Sequence, residues 1–156
     1  MGCELIENFR HIAFCVEDID TATVFYKELG GTLVSSDLEE GVFIESLLGV
    51  PGVIIKTCKL HFKGGERLEL MEFVAPQNKL DSESMPQTLM TKTGLHHIAF
   101  TVDNLEVAIN IVIGHGGKVV GSVVRPDSEH SVHAVRSKHV YMIDPFGSLL
   151  HLAEDI

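Results

Sequence analysis

Four side chains of metal-ligating type recur at related positions in this sequence: His11 and Glu69 in its first half, His97 and His151 in its second. Imidazole nitrogens and a carboxylate suit Zn, Ni, Co, Mn or Fe, and because these ligands must be unprotonated, binding by such a set weakens as pH falls. Three neutral imidazoles and one carboxylate around one divalent ion leave about one net positive charge. That charge stabilises an anion forming on a substrate oxygen, as when a proton leaves the carbon next to a carbonyl. A base must take the proton. An imidazole titrates near neutrality, so His151 can serve if it leaves the metal.

An internal repeat sets the spacing. Arg10-His11-Ile12-Ala13-Phe14-Cys15-Val16 returns 86 residues later as His96-His97-Ile98-Ala99-Phe100-Thr101-Val102, and Gly30-Gly31 returns at the same offset as Gly116-Gly117. Toward the ends an offset of 82 aligns Leu68-Glu69-Leu70 with Leu150-His151-Leu152, loops absorbing the difference. A single strand His is ordinarily a packed or surface residue. Two at equivalent repeat positions, each followed by small residues that leave room for a ligand, point to metal binding. His96 alternates to the helix side and reads as structural. His61, His115, His130, His133 and His139 lie in or near loops and strand ends, and spacing gives them no role, although His130 and His133 suit the mouth of a cavity.

The elements that must position these residues follow from periodicity. Residues 9–16 alternate, with Ile12, Phe14 and Val16 on one face and His11, Ala13 and Cys15 on the other. A helix capped by Asp18 carries Ile19, Ala22, Phe25, Tyr26 and Leu29 on one stripe and stops at Gly30-Gly31. A strand over 32–38 follows. Then comes a less regular insertion, 40–52, in which Leu47 to Gly52 reads as a short helical turn closed by Pro and Gly. Strands over 53–62 and 67–74 are joined by the turn Lys63-Gly64-Gly65-Glu66. The second half repeats the order: a strand over 95–102, a helix from about 103 to 115 striped by Leu105, Ala108, Ile111 and Val112, then strands over 118–124, 135–143 and 148–153. The last two are linked by the turn Asp144-Pro145-Phe146-Gly147.

The expected fold is therefore α+β: two tandem βαβββ modules, 1–74 and 94–156, joined by a polar, Pro-containing linker, 75–93, and forming a curled mixed sheet around a shared cavity. A homodimer is compatible with modules that present sheet edges, and the paired modules come from one chain or from two.

Composition narrows the class. A chain of 156 residues, 45% hydrophobic, can bury a core, and a net charge of −10 with no basic run opposes nucleic acid as a partner. Cys3, Cys15 and Cys58 show no paired spacing and read as free thiols of a reducing compartment. Glu4 and Glu7 stand where a signal peptide would be basic, and no apolar run approaches the roughly 20 residues that span a bilayer. A cytoplasmic protein with no membrane contact and a small-molecule substrate is expected.

From about Phe9 to Glu154 the chain resembles the vicinal oxygen chelate superfamily, which includes glyoxalase I, methylmalonyl-CoA epimerase, extradiol dioxygenases and the fosfomycin and bleomycin resistance proteins. The resemblance rests on Arg10-His11-Ile12-Ala13-Phe14 with Phe25-Tyr26 and Gly30-Gly31, on Leu68-Glu69-Leu70-Met71-Glu72, on His96-His97-Ile98-Ala99-Phe100 and on Asp144-Pro145-Phe146-Gly147. It implies the fold above and places the superfamily's metal positions on His11, Glu69, His97 and His151. The last departs from pattern, since glyoxalases and epimerases usually carry Glu there, and in glyoxalases that Glu helps move the proton. Glu45, in the insertion, lies at a spacing from His11 similar to that of the acidic base of epimerases, and is the second candidate base.

The reading favoured by these residues is a metal-dependent lyase or isomerase acting by proton transfer on a small carbonyl compound or its thioester. One alternative is an Fe(II) dioxygenase in which His11, Glu69 and His97 form a two-His, one-carboxylate triad. Another is a drug-sequestering binding protein without catalysis, against which the full ligand set argues. Arg67, Arg125, Arg136 and Lys138 matter if the substrate carries phosphates or carboxylates. Cys15 lines the cavity with no feature of a nucleophile. Specificity is expected in 40–52 and 125–135.

Overall fold

The computed structural model describes residues 9–77, 94–125 and 136–156. The chain divides into two compact units, Met1–Lys79 and Leu80–Ile156. Most of the expected linker, most of the 125–135 loop, and His130, His133 and Cys3 lie outside the described residues.

Unit 1 contains β1 (Ile12–Cys15), α1 (Ile19–Glu28), β2 (Thr32–Glu40), α2 (Val42–Leu48), β3 (Ile54–His61) and β4 (Arg67–Ala75). Its sheet has the order β1-β4-β3-β2, with β1 parallel to β4 and the remaining pairs antiparallel. Unit 2 repeats the plan with β5 (Ile98–Thr101), α3 (Leu105–Gly114), β6 (Lys118–Val124), β7 (Ser137–Ile143) and β8 (Leu149–Asp155), in the order β5-β8-β7-β6. The repeat is exact in register where it matters: Ala13 pairs with Glu69, and Ala99 with His151.

Each sheet has one apolar and one open face, as strand alternation dictates. In unit 1 Phe14, Leu68, Leu70, Cys58 and Leu60 are buried beneath Ile19, Ala22, Phe25 and Tyr26 of α1. The Tyr26 ring meets both Phe14 and Phe25. In unit 2 Leu150, Leu152, Val140 and Met142 are buried, as are Leu105, Ala108 and Val112 of α3.

Helix starts and stops are also duplicated. Asp18 accepts a hydrogen bond from the Thr21 N–H at 2.9 Å, and Asn104 accepts one from the Val107 N–H at 3.0 Å. The two caps stand 86 residues apart, the period of the repeat, so the second helix begins at Leu105 rather than at about 103. The double glycines end both helices for two separate reasons. Gly30 and Gly116 take φ of 101° and 95°, and a Cβ on Gly31 or Gly117 would lie 2.8 Å from the Tyr26 carbonyl oxygen or 2.7 Å from that of Ile143.

One polar device ties each helix to its sheet. Glu72 on β4 accepts from the backbone N–H of Ile19 at 2.9 Å and holds Lys56 Nζ at 3.0 Å. Glu154 on β8 accepts from the N–H of Leu105 at 2.7 Å and holds Lys138 Nζ at 3.0 Å. A carboxylate at a helix N-terminus meets unpaired N–H groups and the positive end of the helix dipole. The Leu105 N–H, with Lys138 beside it, holds the Glu154 carboxyl below the usual range.

The insertion forms a full short helix, α2, earlier in sequence than the expected turn at Leu47 to Gly52. Ile44 is its buried residue and packs with Val53 and Ile55, against Val50, Met71 and Phe73. Since Ile55, Met71 and Phe73 belong to the open face, α2 covers one end of it. No helix among the described residues is long and apolar enough to cross a membrane.

The Glu72 clamp gives a stability prediction. Glu72→Ala removes a charge-assisted bond to Ile19 and the partner of Lys56, and should lower unfolding free energy by about 2 kcal/mol in urea titrations. An unchanged midpoint would contradict the clamp.

Candidate functional site

The two parallel strand pairs put the chemistry on the open faces. In unit 1 His11 immediately precedes β1 and Glu69 lies on β4 beside Ala13. Because Ala13 is small, the two polar groups meet across it, with His11 Nε2 3.2 Å from Glu69 Oε2. The Glu69 side chain is only 13% exposed while His11 is 36% exposed. Lys59 Nζ approaches the other carboxylate oxygen at 3.6 Å. Cys15 lies further along the same face, its thiol pushed up by burial, which leaves it the protonated and less reactive form.

In unit 2 the equivalent positions hold His97 and His151, with ring centroids 5.6 Å apart. They belong to a larger aromatic group. Tyr141, the cross-strand partner of His151, stacks on its ring at 4.7 Å and 15°, and meets His97 edge-on at 5.2 Å. His139 Nδ1 lies 3.0 Å from His151 Nε2, and Ser137 Oγ lies 2.8 Å from His139 Nε2. His96 Nδ1 lies 2.8 Å from His97 Nδ1.

One expectation needs correction. His96 does not serve the helix side of the sheet; it bonds His97 and stands edge-on to Tyr141, because β5 begins only at Ile98 and strand alternation does not govern the residues before it. His139, to which spacing gives no role, lies within the expected strand, in β7, and is in contact with His151. Sequence spacing does not single out Tyr141 either. The alternation His139, Tyr141 against Val140, Met142 was the available signal, since the latter two are buried. His61 ends β3 and His115 caps α3, as their positions suggest.

Glu45 lies in the first turn of α2, half-buried, next to the anchoring Ile44. The four expected ligands therefore stand as two pairs, one in each unit. Among the described residues no group of three or more His, Cys, Asp or Glu side chains is arranged to hold a metal ion. The unit 1 pair nonetheless fits one: donor atoms each about 2.0–2.2 Å from a shared ion stand roughly 3 Å apart, and His11 and Glu69 present a nitrogen and an oxygen at 3.2 Å.

Comparison with known proteins identifies the fold and the superfamily. Residues 10–134 match the family model described as Glyoxalase/Bleomycin resistance protein/Dioxygenase superfamily, and the chain belongs to that superfamily. No curated protein matches the sequence. Among solved structures, a glyoxalase family protein from Bacillus cereus superposes with a TM-score of 0.84 at 23% identity, covering 100% of this chain and 99% of the other. The fosfomycin resistance protein FosX from Listeria monocytogenes, complexed with Mn(II) and sulfate, gives 0.58 at 14% identity, over 97% of this chain and 95% of that one. A glyoxalase I mutant from Zea mays gives 0.58 at 19% identity, over 92% of this chain and 43% of its own. At these identities the likeness is one of fold.

The imidazole cluster predicts a pH effect. Burial holds both His97 and His151 below the ordinary imidazole range, reinforced by His96 beside the first and by His139 and then His97 beside the second. In the unfolded chain both return to about 6.5, so on acidification the unfolded state takes up protons first. Stability linked to the pair is present above that value and is lost as pH falls through the lower folded values. Metal-stripped protein should thus show a falling urea midpoint from about pH 7.5 to 5.5, and the double variant His97→Gln, His151→Gln a flatter profile. Equal slopes would remove the assignment.

Proposed function

We propose that this protein is a divalent-metal-dependent enzyme that moves a proton on the carbon next to a carbonyl, in a small carbonyl compound or thioester. The observation that carries the reading is the His11–Glu69 pair, a nitrogen and an oxygen 3.2 Å apart on an open face, with His97 and His151 at the repeat-equivalent positions of unit 2. His11, Glu69, His97 and His151 would hold the ion, within one chain or between two copies. When bound, a Zn, Ni, Co, Mn or Fe ion supplies positive charge that polarises a carbonyl oxygen.

The remaining work falls to side chains. Ala13 and Ala99, exposed beside Glu69 and His151, leave space for a substrate over the strands. Tyr141 places an aromatic ring beside His97, and α2 closes one end of the unit 1 face with Ile44. The base is His151, when it is off the ion, or Glu45 on α2. Either accepts the carbon-bound proton and returns it to the product.

A second reading has one observation in its favour. Nε2 of His151 is engaged by His139 and so does not itself reach an ion, and where Nδ1 also stays off it, His11, Glu69 and His97 remain as the two-His, one-carboxylate set of Fe(II) dioxygenases. Oxygen uptake on catechols by Fe(II)-loaded protein distinguishes that reaction from proton transfer.

Two measurements test the proposal. Metal-stripped protein should bind Zn(II), and alanine at His11, Glu69 or His97 should weaken it about 100-fold, one ligand's share of a binding free energy on the order of 10–16 kcal/mol. Protein that takes up no divalent ion would instead fit a non-catalytic binder. For the chemistry, loaded protein in D2O should exchange the α-hydrogen of an α-branched acyl thioester or a thiohemiacetal of an α-ketoaldehyde. Whichever of His151→Gln and Glu45→Gln removes the base should slow exchange about 10²–10⁴-fold, and exchange surviving both substitutions would exclude the two as bases.

A further inference from the structure

We propose that His139 is a positioning residue that fixes the hydrogen of His151 on Nε2 and so leaves Nδ1 of His151 as its basic atom. This rests on the reading of His151 as a ligand or base, and it concerns a residue to which neither the sequence spacing nor the superfamily pattern gives a role. The geometry is a chain of three groups: Ser137 Oγ, 2.8 Å from His139 Nε2, and His139 Nδ1, 3.0 Å from His151 Nε2.

A neutral imidazole has one N–H and one lone pair, so the chain can be filled in only two directions. In one, the Ser137 hydroxyl donates to His139 Nε2, and His139 Nδ1–H donates to His151 Nε2. His151 must then carry its hydrogen on Nδ1, where it can neither ligate nor accept a proton. In the other, His151 Nε2–H donates to His139 Nδ1, and His139 Nε2–H donates to the Ser137 oxygen. His151 Nδ1 then keeps its lone pair, and only this direction gives a working ligand or base. Ser137 suits the accepting role, because a hydroxyl oxygen carries two lone pairs and its own hydrogen can turn elsewhere.

The surroundings hold the ring for that purpose. Tyr141 stacks nearly parallel to His151 at 4.7 Å, which sets the plane of the imidazole, and His139 stands on the neighbouring strand at a position fixed by the pairing of His139 with Ala153 and of Tyr141 with His151. His97 has a corresponding partner, with its Nδ1 directed at His96 and its Nε2 the other nitrogen. A hydrogen-bond partner on the far nitrogen is what orients an imidazole ligand and raises its basicity.

The test separates acceptor chemistry from packing. In metal-free, ¹⁵N-labelled protein at a pH where imidazoles are neutral, long-range ¹H–¹⁵N correlation spectra read the tautomer of His151 directly. The hydrogen should sit on Nε2 in the parent and in His139→Asn, whose amide oxygen takes the place of His139 Nδ1 as acceptor. His139→Leu should give a mixture. Zn(II) affinity should fall about 10–100-fold in His139→Leu and stay within about threefold of the parent in His139→Asn. A parent protein with the hydrogen on Nδ1 overturns the proposal, whether or not any variant folds, and so does a folded His139→Leu with parental tautomer and affinity. Failure of the metal reading itself shows differently, as Zn(II) binding indifferent to His11→Ala and His97→Ala, while the metal-free tautomer still decides the role of His139.

Discussion

The structure depends on one pairing made twice: a short first strand laid parallel to the last strand of its own unit, in the same register. Ala13 beside Glu69 and Ala99 beside His151 are the consequence. Parallel strands need a long crossover, and here α1 with β2, α2 and β3, or α3 with β6 and β7, fill it. A shift by one residue in either pair would turn Glu69 or His151 into the apolar layer occupied by Leu68 and Leu70 or by Leu150 and Leu152, all buried. Burying an unpaired carboxylate or imidazole there costs several kcal/mol. The leucines that flank each polar residue therefore protect the register on which the site is built.

The same economy of parts appears in the way helices are attached. Glu72 and Glu154 each join a helix N-terminus to a lysine on the adjacent strand, with closely matching distances in the two units. The helix cannot slide along the sheet without losing these bonds, and the first strand, connected to the helix by a few residues, keeps its place beside the last. Polar ties on the helix side and open polar groups on the other side thus belong to one arrangement. What differs between units is the chemistry placed on the shared frame: a carboxylate with Lys59 nearby in one, an aromatic cluster of four imidazoles and Tyr141 in the other.

Much of this was legible in the sequence, and the reasons are physical. Alternation of apolar residues locates each strand found among the described residues to within a few residues, and the double glycines mark the helix ends because backbone geometry excludes a side chain there. α2 was misplaced because a helix anchored by a single buried residue, Ile44, with Val42, Phe43 and Leu47 all well exposed, shows no apolar stripe to find. Alternation does not fix the side of His96, because β5 starts only at Ile98. The contact of His139 with His151 is diagonal across β7 and β8, a relation fixed by strand register and invisible to any single-strand period. The alignment of Glu72 with Glu154, and of Lys56 with Lys138, was present at the 82-residue offset but reads as ordinary surface charge until a helix N-terminus is placed against it.

The proposed function rests on His11, Glu69, His97 and His151 acting as ligands of a divalent ion. X-ray absorption spectroscopy of the Zn(II)-loaded protein examines the ligands themselves, since imidazole rings leave a distinct outer-shell scattering pattern. The account predicts nitrogen and oxygen donors at about 2.0–2.2 Å with scattering from at least two imidazoles, and loss of part of it in His97→Ala. A shell of oxygen alone, with no imidazole pattern and no change in that variant, would contradict it.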